Sequence, residues 1–195
     1  MILKPNREQI IDFAILSLRW YLAFYMADYG WSKLTDGQFG LHDKSLLDKP
    51  LRELDKFHIA WHLFSLDKSF NIVVGLTQIL GAILIVINRT AIIGALLLLP
   101  VLGQIFLVDL AFTTNIFGPA LPLRLGGMIL ADLCILYYYK DKVVAAFRHI
   151  TTGVTTKFKY KWWVFILLPV IGLLMDFVIA TLTMPIKWLI IWLTR

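Results

Sequence analysis

The fold is decided by the stretch Asn71–Phe112, which reads NIVVGLTQILGAILIVI, then NRT, then AIIGALLLLPVLGQIFLVDLAF. Each apolar half is about 17–22 residues long, which is the length of helix that crosses ~30 Å of hydrocarbon. The polar break at Asn88-Arg89-Thr90 is long enough for a tight turn and too short for a soluble domain. We therefore predict a transmembrane helical hairpin against which the other segments pack.

The composition of the whole chain indicates the same class. Of its 195 residues 59% are hydrophobic and 16% charged, whereas soluble domains have about 45–50% apolar and ~25% charged residues. The formal charge is +6, but the basic residues form no surface interleaved with aromatic side chains, which argues against nucleic-acid binding. The single cysteine, Cys134, cannot form a disulfide within the chain, which excludes an autonomous dithiol relay.

Apolar runs predict an all-α protein, a polytopic transmembrane bundle with a four-helix core plus a fifth, C-terminal helix in one membrane domain. The helices are expected at about 10–29, 70–87, 90–112, 121–139 and 162–184. The first run is too long and too charged for a signal peptide, so we expect it to be retained. Pro185 leaves open whether residues 185–195 extend the fifth helix or turn along the interface.

Residues 51–64 are expected to form an amphipathic segment. Four apolar side chains recur at helical spacing on one face, namely Leu54, Phe57, Trp61 and Phe64. This pattern is typical of a helix that rests on the membrane surface or caps the bundle. His58 and His62 are four residues apart and could reach one metal ion, but no third ligand is evident. Solvated or capping histidines are therefore the favoured interpretation, and no metal site is predicted.

Residues 140–161 are predicted to be a basic loop, because they hold six Lys or Arg residues and a single acid. Five crossings place this loop, the N-terminus and the Arg89 turn on one side, with nine basic residues against seven on the other. By the positive-inside rule the nine lie in the cytoplasm. The N-terminus is thus expected in the cytoplasm, residues 51–64 outside, and the protein in a bacterial inner membrane.

Polar residues inside the apolar runs form the candidate ligand or ion-pair pocket. They are Arg19, Lys33, Gln78, Asp109, Arg124, Asp132 and Asp176. Charges at membrane depth face the interior and find partners, so Asp109 is expected to pair with Arg124, and Arg19 with Asp132 or Asp176. One carboxyl group is left over, and we expect it to be protonated or to face a water-filled cavity. The pairs either only fix helix register or line a polar pocket for a small ligand, a quinone head group or a proton.

Two motifs resemble the DoxX-like family of membrane proteins. Leu18-Arg19 followed by Tyr29-Gly30-Trp31-Ser32-Lys33-Leu34 is similar to the family's opening, and GLTQILGAILIVINRTAIIGALLLL to its helical hairpin. The matching positions are Arg19, Gly30, Lys33, Gly75, Gly81 and Arg89. The resemblance implies a four-helix bundle, and some members resemble the small subunit of a thiosulfate–quinone oxidoreductase. Gln78 departs from the Glu often present in the family, and the fifth helix is additional.

These observations predict a DoxX-like integral membrane protein, an accessory subunit or small-ligand site in a membrane redox assembly, with quinone as a possible ligand. Its expected partners are the lipid bilayer and a membrane or peripheral protein. A small transporter or permease that uses the buried Asp/Arg set is the first alternative, and a structural scaffold for a partner protein is the second. The sequence leaves open whether the protein is an enzyme.

Overall fold

The structure, a computed structural model, describes residues 6–35, 37–38, 49–113 and 118–193. The chain forms two compact units, Met1–His149 and Ile150–Arg195. All regular elements in these described ranges are helical, which confirms the predicted all-α class. The prediction of a single membrane domain stays a prediction.

The described part of the chain contains seven α-helices and one short 3₁₀ helix at Leu51–Glu53. In chain order the α-helices are α1 Arg7–Leu34, α2 Lys56–Ser65, α3 Lys68–Val86, α4 Ala91–Phe112, α5 Ala120–Tyr138, α6 Lys140–Thr151 and α7 Trp162–Leu193. Five of them, α1, α3, α4, α5 and α7, are long and apolar enough to cross a membrane.

The outward faces of the bundle are apolar. On α3, for example, Val73, Leu76, Leu80 and Ile83 are all more than half exposed. A soluble protein does not leave such a contiguous apolar surface in water, whereas lipid-facing helices do. Together with the five spanning lengths, this surface makes the chain a membrane protein in contact with the lipid bilayer.

Four helices of the first unit form a closed antiparallel ring. α1 packs against α3 and α5, and α4 packs against the same two helices from the other side. Buried Leu22 and Met26 of α1 meet Leu98 and Leu102 of α4 and Met128 of α5 in one core. The ring is the predicted four-helix core, and α2 lies at one end of it against α3 and α4.

α1 is longer at both ends than the sequence predicted. At its start, Asn6 and Gln9 form a capping box in which each side chain accepts a hydrogen bond from the other's backbone N–H, at 2.8 and 3.0 Å. At its other end, Gly30 does not stop the helix, because it packs against α3 and the helix continues to Leu34. Lys33 therefore lies on the helix and is buried instead of extending to the interface.

Three other boundaries differ from the predicted ones. The region 140–161, predicted to be a loop, begins with the 12-residue helix α6. The predicted amphipathic segment is divided, because Asp55 accepts a hydrogen bond as the N-cap of α2 and so starts a new helix. α7 passes through Pro185 to Leu193, so residues 185–193 extend the fifth helix.

Two glycines set a close contact between α1 and α3. A Cβ atom on Gly30 would lie 2.6 Å from the backbone oxygen of Gly75, and one on Gly75 would lie 2.8 Å from that of Gly30. The α1 and α3 backbones thus touch directly, as small residues allow in membrane bundles. By contrast, a Cβ on Gly127 of α5 would meet nothing within 4 Å.

We expect Gly30→Ala to destabilise the protein by about 1–3 kcal/mol, because the new methyl group overlaps backbone atoms that cannot move cheaply. Gly127→Ala is the matched control and should be neutral or stabilising by about 0.5–1 kcal/mol, since helical glycine carries an entropic cost. Unfolding of the purified protein by SDS in mixed micelles measures both. Equal midpoints for the two variants would contradict the close α1–α3 contact.

Candidate functional site

Arg19 points into the ring, as predicted, but its partners are backbone atoms. Its Nε donates to the carbonyl oxygen of Ile85 at 2.7 Å, and one terminal nitrogen donates to that of Val86 at 2.6 Å. These carbonyls belong to the last turn of α3, whose final four C=O groups have no partner within the helix. The Thr90 hydroxyl donates to a third, that of Leu84, at 2.9 Å. Arg19 is thus a buried cation at the negative end of the α3 dipole.

Asp132 is fully buried on α5, and neither carboxylate oxygen has a hydrogen-bond partner. Tyr138 of α5 donates to Asp12 of α1 at 3.1 Å, and Arg124 of α5 contacts Tyr25 of α1. These contacts fix an antiparallel register that places Asp132 level with Arg19. The predicted Arg19–Asp132 ion pair is nevertheless wrong, because the guanidinium donates to the two α3 carbonyls.

Gln78 is the third buried polar group of the interior. Its amide nitrogen lies 4.0 Å from the sulfur of Met26, a weak donor–acceptor contact, and its Oε1 has no partner. Asp176, the seventh predicted residue, lies in α7, which belongs to the second unit, and its side chain is exposed. Its pairing with Arg19 stays a prediction.

The predicted Asp109–Arg124 ion pair is also wrong. Phe106 of α4 contacts the Gly126 position of α5, so the two residues are close to the same depth, as expected. However, the Arg124 guanidinium stacks over the Tyr25 ring at 4.1 Å and lies 5.7 Å from the Tyr29 ring. Arg124 therefore faces α1 through cation–π contacts, while Asp109 lines a pocket.

That pocket, the Lys33 pocket, has a volume of about 190 Å³ and is lined by four helices. α1 contributes Lys33, α2 contributes Trp61 and Phe64, and α4 contributes Gln104 and Asp109. The remaining walls are mostly apolar side chains of α3 and α4. An apolar cavity in which a few polar groups converge is the usual form of a small-molecule site.

Lys33 is the central charge of the pocket. It is only 4% exposed, and its ammonium group donates to Gln38 Oε1 at 2.6 Å. It lies 5.8 Å from the Tyr29 ring and interacts electrostatically with the Asp109 carboxylate. The pocket thus presents a strong donor and an acidic acceptor, so it can hold a ligand that carries both an acceptor and a donor.

The pocket opens toward the outside of the bundle. Gln104 of α4 is exposed, and Val73 of α3, another wall residue, is 64% exposed. These two wall residues lie on the outer faces of α3 and α4, which are the surfaces that meet lipid in a membrane. The aromatic wall near this side includes Phe64 and Phe70, whose rings stack at 5.8 Å.

The α2 wall is fixed by Asp55. Its carboxylate accepts the backbone N–H of His58 at 3.0 Å and contacts the His58 ring nitrogen Nδ1 at 2.6 Å. Burial raises the pKa of Asp55, but the hydrogen bonds from His58 outweigh it, so this pKa lies below its ordinary value. Among the described residues no three His, Cys, Asp or Glu side chains are grouped to hold a metal ion, and His58 instead contacts Asp55.

The site includes residues that the sequence interpretation missed. Tyr25 and Tyr29 contact the Arg124 guanidinium, and Gln104 lines the Lys33 pocket. Thr90 donates to a carbonyl at the end of α3. Tyr25 and Tyr29 are four residues apart on α1, which places them on one helix face. That spacing was a usable signal, whereas nothing in the sequence marked the α3 carbonyls as acceptors.

Comparison of the chain with protein-family models, with curated proteins and with solved structures gave no match.

We expect Arg19→Met to destabilise the protein by about 2–4 kcal/mol, because two buried carbonyl oxygens lose their donors. Arg19→Lys should recover part of this loss, since an ammonium lacks the fork that reaches both oxygens. Arg89→Met, at an exposed position, is the control and should change stability by less than about 0.5 kcal/mol. SDS unfolding midpoints provide the measurement, and a wild-type midpoint for Arg19→Met would refute the capping role.

Proposed function

We propose that the protein is a DoxX-like integral membrane subunit that binds a small lipid-soluble ligand, a quinone head group, in the Lys33 pocket. The observation that carries this proposal is that two wall residues of the pocket, Val73 and Gln104, are exposed on the outer, lipid-facing side of α3 and α4. A water-soluble ligand gains nothing from an opening toward hydrocarbon, whereas a quinone diffuses in that phase.

The polar groups of the pocket match the chemistry of a quinone. Its carbonyl oxygens accept hydrogen bonds, which the Lys33 ammonium and the Gln104 amide can donate. Its reduced form carries hydroxyl groups, which can donate to the Asp109 carboxylate. The ring would lie against the aromatic and valine walls, among them Trp61 and Phe64. The small volume suits a single-ring head group whose tail remains in lipid.

The chain contains no cysteine pair, so the electrons of such a quinone would come from a partner protein. We therefore propose that the protein is an accessory subunit of a membrane redox assembly. We propose a bacterial inner membrane as its location and, from the positive-inside rule, a cytoplasmic N-terminus. With that orientation the Lys33 pocket would lie near the extracytoplasmic end of the bundle. Purification in mild detergent, followed by identification of bound quinone, lipid and protein, tests the assembly.

Binding of a short-chain benzoquinone to the detergent-solubilised protein is expected to quench tryptophan fluorescence with saturation, because Trp61 lines the pocket. Lys33→Met should weaken binding by about 10–100-fold, the loss expected when a charged hydrogen bond of about 1.5–3 kcal/mol is removed. Gln104→Leu, at the open side, should weaken it less and tests the pocket without removing a buried charge.

Asp28→Asn, an exposed change on α1 outside the pocket, is the control and should bind as the wild type does. Trp61→Phe should reduce the amplitude of quenching without abolishing binding, which assigns the signal to the pocket. Quenching that rises linearly with quinone concentration, or equal affinities for wild type and Lys33→Met, would reject a quinone site here.

A small transporter is a second candidate function, favoured by the buried carboxyl group of Asp132 with its two unpartnered oxygens. Ionisable side chains buried inside membrane bundles are rare, and they often mark the path of a proton or an ion. In proteoliposomes that contain a pH-sensitive dye, a proton-linked transporter would move protons across the membrane. Asp132→Asn should abolish that flux, and Asp28→Asn should leave it unchanged. Equal flux in protein-free vesicles would exclude this candidate.

A further inference from the structure

α6 has two chemically distinct faces. At 100° per residue, Val143, Val144 and Phe147 share one side of the helix, and Val144 and Phe147 are each more than half exposed. Arg148 lies at one edge of this apolar side, and Lys142 and Ala145 lie on the opposite face. An apolar stripe with basic residues at its edge and on the polar face is the pattern of a helix that lies in a membrane interface.

The position of α6 in the chain fits that pattern. It begins directly after the spanning helix α5, because the Tyr139 carbonyl accepts the backbone N–H groups of Lys142 and Val143, each at 3.0 Å. Tyr137, Tyr138 and Tyr139 form an aromatic belt at this junction, and the Lys140 ammonium lies 4.9 Å from the Tyr137 ring. Aromatic belts occupy the headgroup level, so α6 starts at the membrane surface.

The basic charge of α6 and of the residues that follow it favours a membrane surface that contains anionic lipids. α6 holds Lys140, Lys142 and Arg148 against one acid, Asp141. The sequence continues to Trp162 with three further lysines and no acid. Each basic residue near a bilayer surface gains favourable energy from anionic lipids and little from neutral ones.

We propose that α6 is a binding surface for anionic phospholipids, lying along the bilayer with its Val143–Phe147 face in the acyl boundary, Arg148 among the phosphates and Lys142 on the outer face within the field of the anionic head groups. The occupant of the exposed apolar face is then the membrane itself. This inference depends on the membrane placement of α5 and does not depend on the ligand of the Lys33 pocket.

Spin labels in the reconstituted full-length protein test the proposal. After Cys134, which is exposed, is replaced by serine, a nitroxide is attached in Phe147→Cys on the apolar face or in Ala145→Cys on the polar face. Collision with oxygen, which concentrates in hydrocarbon, is compared with collision with a water-soluble nickel chelate. Vesicles are made of phosphatidylcholine alone or of phosphatidylcholine with phosphatidylglycerol.

In anionic vesicles the Phe147→Cys label should favour oxygen and the Ala145→Cys label should favour nickel. This contrast between the two labels should be larger in anionic than in neutral vesicles. The double variant Lys142→Gln, Arg148→Gln should make the contrast equal in the two kinds of vesicle. Equal nickel access at both positions would overturn the proposal, because α6 would then stand in water. A Phe147→Cys label shielded from both reagents would overturn it in favour of a protein contact, and a contrast independent of lipid charge would refute the anionic preference.

Discussion

A helix that ends inside a bundle must find donors for its last carbonyl groups, and this requirement governs the centre of the present structure. α3 ends at Val86, at the turn into α4, where its Leu84, Ile85 and Val86 carbonyls have no helical partner. Arg19 supplies donors to two of them and Thr90 to the third. A buried carbonyl left without a donor would cost about 1–3 kcal/mol. The short hairpin between α3 and α4 thus depends on a side chain of α1.

The same α1–α3 contact determines where the pocket forms. Gly30 and Gly75 bring the two backbones together, and Lys33 follows Gly30 by three residues, on the same face of α1. The close approach carries Lys33 into the bundle, where only 4% of it is exposed. A larger residue at Gly30 would push α1 outward and leave Lys33 free to extend toward the headgroups. The contact between Gly30 and Gly75 therefore keeps Lys33 inside the bundle, where it is the central charge of the Lys33 pocket, and not at the membrane interface.

The sequence was sufficient for the five long helices and for the matching heights of Arg19 with Asp132 and of Asp109 with Arg124, but it could not supply the partners of these residues. Apolar run length predicted the five long helices, and the antiparallel order placed Asp132 level with Arg19 and Asp109 near Arg124. Both predicted pairs are nevertheless absent. The length of an apolar run predicts how far along its helix a residue lies. It does not predict the direction in which the side chain points around the helix axis. Arg19 instead binds backbone carbonyls, and Arg124 stacks on tyrosine rings. Whether such groups or a carboxylate become the partner depends on how the helices pack. Amphipathic α6 went unrecognised because its charge indicated a loop.

The polar groups of the ring lie at three separate depths, and this spacing distinguishes the candidate functions. Lys33, Met26 and Arg19 are seven residues apart on one face of α1, so the Lys33 pocket and the Arg19–Asp132 level are about 21 Å apart along the axis. Gln78, in contact with Met26, lies midway, and its Oε1 has no partner. A ligand in the Lys33 pocket contacts polar groups at that level only. Quinone binding therefore does not require Asp132. Transport needs all three depths joined by water or by movement of side chains, and Gln78 is the polar group through which such a path would have to pass.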